Sequence, residues 1–179
     1  MIILFAGLGS YREEPEQHRG ASGMLTIVQA ERPEDLEAAR YLILAHAASL
    51  REHPGSDQVR ADAESLPGPY APPRGRLYLA RLDGMPAGCV ALRPLEETVA
   101  EVKRMFVIST ARRVGVARAL MEQLLTDASR LHYHTIRLGT LQEMTAAQAL
   151  YRRLGFVQIP RYRPDEMIDT VFFELRLSP

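Results

Sequence analysis

The apolar positions of the chain recur with changing period, and each change marks an element. Leu25–Gln29 reads as a short strand, and from Pro33 the spacing lengthens: Leu36, Ala39, Ile43, Ala47 and Leu50 lie three or four residues apart, along one face of an amphipathic helix. Pro33 suits a first helical turn, where its missing N–H has no partner to lose, and Glu34 and Asp35 fall at the positive end of the helix dipole. His53-Pro54-Gly55 interrupts this pattern, a weaker helix is expected over Ser56–Ser65, and the Pro- and Gly-rich stretch Leu66–Gly75 reads as a loop. Leu77–Arg81 and Ala87–Arg93 are strands joined by the hairpin signal Asp83-Gly84. Pro94–Glu97 then turns the chain into a long strand, Thr98–Ile108.

The clearest helix follows. Ala117, Leu120, Met121, Leu124, Leu125, Ala128 and Leu131 form one face, and Arg118, Glu122, Gln123, Asp127 and Arg130 fall between them, the pattern of a helix laid on a sheet. Thr135–Thr140 is the next strand. With a helix between it and Thr98–Ile108, the two are expected to run parallel. Thr145 and Gln148 have capping-box spacing ahead of a helix with Ala147, Leu150, Tyr151 and Leu154 on its inner face, and Gly155 is a stop signal. Phe156–Ile159 and Thr170–Leu177 close the chain as strands. This order predicts an α+β domain, one mixed sheet flanked by about four helices, with neither an internal repeat nor a second domain.

Composition narrows the class. The 179 residues suit one domain and can bury a core without staples. A hydrophobic share of 46% with 25% charged residues excludes a disordered or fibrous chain. The 22 basic residues balance 22 acidic ones, so no overall field directs the protein to nucleic acid or to an anionic membrane. The single cysteine, Cys89, can form neither an internal disulfide nor a Cys-based zinc site, and a reducing, cytoplasmic setting is the simple expectation. It lies in an apolar strand-like run, which favours a buried structural thiol over a catalytic one. Residues 1–23 look foreign to the rest: Met1–Leu8 is apolar but too short to span a membrane and has no basic residue ahead of it, and Tyr11–Gly23 is polar. The expectation is an N-terminal extension over 1–23 and one domain over 24–179, with Met24 as the natural start.

The chemistry begins where the long strand ends. Beyond Ile108 the chain turns through Arg112-Arg113-Val114-Gly115-Val116-Ala117 into a helix. Helix starts carry unpaired N–H groups and a partial positive charge and so hold phosphates. Gly115 and the small Ala117 permit close approach of a phosphate to the backbone, and Arg112, Arg113 and Arg118 add charge; the alternative is a set of solvated surface arginines. The loop lacks the Gly-Lys-Ser/Thr ending of a Walker loop and the glycine spacing of a dinucleotide fingerprint. His132 and His134 share a strand face by spacing, but two histidines without a third ligand make a poor metal site, and no metal is expected.

The loop resembles the acetyl-CoA motif of the GNAT superfamily of N-acetyltransferases, Gln/Arg-x-x-Gly-x-Gly/Ala, through Arg112, Gly115 and Ala117. A second signature of that superfamily lies downstream as Ala147, Leu150-Tyr151 and Leu154-Gly155-Phe156. Small bacterial members are similar also in Leu66-Pro67-Gly68-x-Tyr70, in the run Gly88–Leu95 and in Glu101-x-Lys103-Arg104. The resemblance implies the acyl-CoA N-acyltransferase fold, a mixed, mostly antiparallel sheet of about six to seven strands with about four helices. It implies an enzyme that moves an acetyl group from acetyl-CoA to a primary amine, free or in a peptide, by direct transfer. The pantetheine arm would lie along Met105, Phe106, Val107 and Ile108, and the pyrophosphate on Arg112, Arg113, Val114, Gly115, Val116, Ala117 and Arg118. Two positions depart from the family: Met144 stands where many members carry Asn, and Gly139 where close relatives tend to carry Asp. A homodimer is plausible for such a protein. An acyl-CoA-binding sensor without turnover and a transferase using another acyl group are the alternatives.

Two residues are candidates for the chemistry. Amine attack needs a neutral nucleophile, although an aliphatic ammonium has a pKa near ~10.4, and the leaving thiolate, comparable to a cysteine at ~8.5, benefits from a proton donor. Tyr151 matches the family tyrosine that donates to the thiolate; otherwise it is a core aromatic. Glu101, a carboxylate in an apolar strand, is either the base, directly or through water, or the partner of Lys103 or Arg104 in an ion pair. The tract holding Tyr70, Pro72, Pro73 and Arg74 either walls the acceptor pocket or is a linker.

Overall fold

The computed structural model describes residues 23–50, 53–163 and 169–177. The expected extension therefore lies outside the described residues, apart from Gly23. The chain order is β1 (Leu25–Gln29), α1 (Pro33–Ser49), α2 (Gly55–Glu64), β2 (Arg76–Leu82), β3 (Met85–Pro94), β4 (Val99–Val107), α3 (Val116–Arg130), β5 (Thr135–Leu141), α4 (Thr145–Arg153), β6 (Val157–Ile159) and β7 (Thr170–Arg176). Among the described residues the strands form one sheet in the order β1-β2-β3-β4-β5-β7-β6. Every pairing is antiparallel except β4 with β5, which run parallel as the intervening helix α3 requires. This is the α+β mixed sheet expected from the sequence.

Strand alternation divides the core in two. Tyr78 and Ala80 of β2 and Val90 and Leu92 of β3 pack on one face with Val116, Leu120, Met121 and Leu124 of α3. Leu77, Leu79, Cys89 and Ala91, one step out of phase, pack on the other with Ala39, Leu42, Ile43 and Ala47 of α1 and Val59 and Ala63 of α2. The β2–β3 hairpin turns through Asp83 and Gly84, both at positive φ (51° and 80°), the backbone of a primed two-residue turn.

Several local expectations differ from the structure. The capping box at Thr145 is absent: Met144 occupies the cap position of α4, and the Gln148 side chain instead donates to the carbonyls of Leu141 and Gln142. Those carbonyls lie just ahead of the helix and outbid its own N-terminus for the amide. His132 and His134 occupy no strand; His132 sits at φ 62° in the turn leaving α3, and β5 begins only at Thr135. The tract after α2 contains a short 3-10 turn at Gly68–Tyr70 that buries Tyr70.

Candidate active site

The parallel pair β4–β5 is short. Val99, Ala100 and Glu101 face Thr135, Ile136 and Arg137, and beyond Glu101 the two strands have no further partners in each other. The cause lies within β4. Against β3, Lys103 pairs with Ala91 and Phe106 with Cys89, so that Arg104 and Met105 together oppose Val90. This is a β-bulge, and Arg104 takes the left-handed backbone it needs, at φ 54°. The bulge bends the far half of β4 away from β5 and opens a cavity of about 170 Å³ that reaches both faces of the sheet. Its walls are the Val102–Met105 segment of β4, the Leu138–Leu141 segment of β5, and side chains of α1 and α4.

Tyr151 reaches this cavity from the inner face of α4. It is 5% exposed, and its ring leans on Phe156 and Phe173 at 5.9 and 6.2 Å. Its hydroxyl makes no hydrogen bond to a described residue, and burial raises the phenol to about 12. It therefore stays protonated at neutral pH with its donor uncommitted. Met144 and Gly139, the two departures from the family pattern, line the same cavity. At Gly139 an added Cβ would stand 3.0 Å from Thr170 Cγ2 and 3.3 Å from a Phe172 ring carbon, so the neighbouring β7 leaves little room for a side chain.

Following β4 past Val107 leads to the arginine loop. Arg112 turns back to donate from Nε to the Val107 carbonyl at 3.1 Å. Arg113 and Gly115 both take positive φ (66° and 91°), which delivers the chain into α3 with Gly115 as its cap. Ala119 N–H bonds to the Gly115 carbonyl at 3.0 Å, so the N–H groups of Val116, Ala117 and Arg118 precede the helical ladder. Arg112, Arg113 and Val114 are exposed. Arg118 is engaged at its surface with Glu122 at 2.7 Å. Of the residues assigned to the pantetheine arm, Met105 lines the cavity, whereas Phe106 faces α1 and stacks on His46 at 5.3 Å.

Glu101 is fully buried but is not among the described residues lining the cavity. Its carboxylate receives Arg93 at 2.5 and 2.8 Å, Arg163 at 3.2 Å and the Tyr162 hydroxyl at 2.9 Å, with Lys103 Nζ at 4.0 Å. Burial alone would raise its pKa, but Lys103, Arg93 and these hydrogen bonds outweigh it and hold the carboxyl below its usual range. Arg104, the other expected partner, pairs instead with Asp62 of α2. Cys89 is fully buried, its Sγ lies 3.3 Å from the Arg104 carbonyl, and burial pushes the thiol up to about 12, an inert state. The Tyr70 tract is tied into the fold. Tyr70 donates to Asp62, and Arg74 bonds to the Tyr133 hydroxyl and covers its ring at 5.0 Å.

Three cavity residues escaped the sequence reading. His46 follows Ala39 and Ile43 at offsets of seven and three, on the helix face already identified, and was hidden by being polar. Its Nδ1 is buried without a partner, and burial, with Arg104 nearby, lowers the ring to about 4. His53 bridges two walls, accepting from Gly55 N–H at 3.0 Å and donating to Asp169 at 3.2 Å. Arg104 enters only because the bulge turns it toward α2, and no spacing rule announces a bulge.

Residues 40–156 match the model of the Acetyltransferase (GNAT) family. An N-acetylaspartate synthetase of Xenopus tropicalis is 36% identical over 112 residues, which cover 58% of this chain but only 41% of that protein's length. Among solved structures, a GNAT-family acetyltransferase of Staphylococcus aureus Mu50 superposes with a TM-score of 0.74 at 22% identity, covering 87% of this chain and all of the other. A Salmonella typhimurium protein solved with its cofactor acetyl-CoA superposes at 0.64 and 19% identity, over 87% and 95% of the two chains. The family match spans the parted strands, the arginine loop and the helix bearing Tyr151, and the chain belongs to the GNAT family of acetyltransferases.

Proposed function

We propose that this acyltransferase moves an acetyl group from acetyl-CoA to a primary amine by direct attack in a ternary complex. The observation that carries the reading is the parting of β4 from β5 after Glu101, with Tyr151 at the opening and the arginine loop beyond the strand end. The pantetheine amides pair with the open edge of β4 as an added strand would, along Met105, Phe106, Val107 and Ile108. The pyrophosphate rests on Arg112, Arg113, Val114, Gly115, Val116, Ala117 and Arg118, where helix N–H groups and guanidinium charge coincide. The thioester then lies in the gap beside Tyr151.

The amine first loses one proton to solvent and attacks the thioester carbonyl. The C–N bond forms, the C–S bond breaks, and the thiolate takes the Tyr151 proton. The phenolate recovers a proton from the nitrogen that has become an amide. A phenol at about 12 is a weak acid, so its main contribution is a hydrogen bond that strengthens as charge gathers on sulfur. Glu101 fits the ion-pair alternative better than the base: four groups already hold its charged form, and a carboxylate so held has little basicity left. The buried Cys89 argues against an acyl-enzyme.

The test is release of CoA thiol from acetyl-CoA by the full chain against a panel of amines, with propionyl- and succinyl-CoA in parallel. Amine-dependent release with an acetyl preference is expected. Tight acetyl-CoA binding without release in the presence of any amine would identify a sensor instead, and preference for succinyl-CoA would change the donor.

A further inference from the structure

On its α1/α2 side the cavity is bordered by two basic residues, and the guanidinium of one of them is only partly satisfied by the described residues. Cross-strand pairing with Ala91 and Cys89 sets Lys103 and Phe106 on the α1/α2 face, and the bulge between them turns Arg104 to the same face. Two consecutive cations therefore face one way, which regular alternation forbids. Both line the cavity with His46 and His53, and no carboxylate is among the described lining residues.

Arg104 is held by geometry on one side only. Its Nε and Nη2 lie 2.7 and 2.6 Å from Asp62 Oδ2, and Nη2 also reaches the Gln58 carbonyl at 3.3 Å. Asp62 is fixed in turn by the Tyr70 hydroxyl and by Gln58. The side chain is 7% exposed, so it is immobilised and largely dry. Its Nη1 has no hydrogen-bond partner among the described residues. A guanidinium offers five N–H donors in a rigid fork, so Nη1 keeps donor capacity for a ligand entering the cavity. Behind the same wall the Nδ1 of His46 is also buried without a partner. Two unpartnered polar atoms therefore belong to residues that border one cavity, one of them on a cation locked in place from behind.

We infer that the acceptor is a small amine that also carries a carboxylate, and that Arg104 Nη1 binds this carboxylate from the acceptor side of the parted strands. The inference rests on the acetyl-transfer reading for the position of the amine. Asp62, Gln58 and Tyr70 act as positioning residues that aim the fork. A polyamine or a lysine side chain without a nearby anionic group would leave Nη1 unsatisfied and would bring its own positive charge close to the guanidinium.

The experiment compares matched acceptors with the full chain: glycine, L-alanine, L-aspartate and L-phenylalanine, each beside its α-amide and its decarboxylated amine. CoA release gives kcat/KM, and calorimetry on the CoA-loaded protein gives binding of the same compounds. The free acids should be preferred over their amides by about tenfold or more, the scale of one charge-assisted hydrogen bond. Arg104→Gln should raise KM for the acids by a similar factor while leaving the amides and the acetyl-CoA KM where they were. Because that variant strands Asp62, the double variant Arg104→Gln/Asp62→Asn repeats the test with the pair removed together. Turnover without any preference for acids overturns this inference and spares acetyl transfer. Acid-selective binding without turnover does the reverse. No preference in either measurement overturns the carboxylate site.

Discussion

The two halves of β4 have the same neighbours in sequence and opposite fates. Up to Glu101 the strand is paired on both edges, and its one buried carboxylate is covered by Arg93, Arg163 and Tyr162. After Glu101 the β5 edge is open, and the Arg104 guanidinium keeps one nitrogen without a partner among the described residues. Both halves bury charge. The closed half satisfies its charge within the protein and so contributes structure. The open half leaves donor capacity over, and this is the capacity that the proposed acceptor carboxylate would take up.

The largest expected effect breaks the closed half. Glu101→Gln removes the negative centre of a buried cluster and should cost about 3–5 kcal/mol of stability, read as a lower urea midpoint. The folded fraction should keep near-native kcat/KM. Loss of activity at unchanged stability would instead make Glu101 the base. Tyr151→Phe probes the open half. The turnover rate should fall by about 100-fold, the lower end for a positioned acid, with acetyl-CoA affinity retained. Stability should move by no more than about 0.5 kcal/mol, because the lost hydroxyl has no partner among the described residues. Equal turnover would remove Tyr151 from the mechanism.

A smaller effect concerns pH. His46 titrates near 6.5 when unfolded and is lowered to about 4 in the fold, so the unfolded chain binds the extra proton first. Its contribution to stability is intact above about pH 6.5 and is lost as pH falls toward 4, by at most about 3 kcal/mol. The urea midpoint should decline over that window, and His46→Gln should flatten the decline. Asp62 and Glu101, both held below their usual range, come into play only at lower pH. The mildest change is Gly115→Ala. Nothing stands within 4 Å of the added Cβ, so the cost is the backbone at φ 91° alone, about 1–2 kcal/mol, with acetyl-CoA binding weakened in proportion as the loop relaxes. Calorimetry with acetyl-CoA checks it.

Much of this contrast was legible in the sequence. The elements follow from hydrophobic period and turn chemistry: β1 is Leu25–Gln29 as read, and Asp83-Gly84 makes the β2–β3 hairpin. The parallel β4–β5 pair follows from one helix between two strands. Tyr151 and the arginine loop were singled out because their motifs are local. What escaped depends on three-dimensional register. Arg104 lies 42 residues from Asp62 and reaches it through the bulge. Glu101 was singled out correctly as an unusual buried carboxylate, but its main partners, Arg93 and Arg163, come from other segments rather than from its own strand. The capping box at Thr145 misled because spacing alone cannot tell that Gln148 has carbonyls within reach.

The extra residue in β4 also sets a parity for everything after it. Lys103 and Phe106 share a face at a separation of three, so each side chain from Met105 to Val107 points opposite to where an unbroken strand would aim it. Shortening the chain by one residue at Arg104 would restore regular alternation. Phe106 would keep its place toward α1, with Met105 and Val107 on the opposite face, and the strand would be free to zip further along β5. One residue thus acts as a spacer that keeps the sheet from completing itself, and the gap it preserves joins the two faces of the sheet.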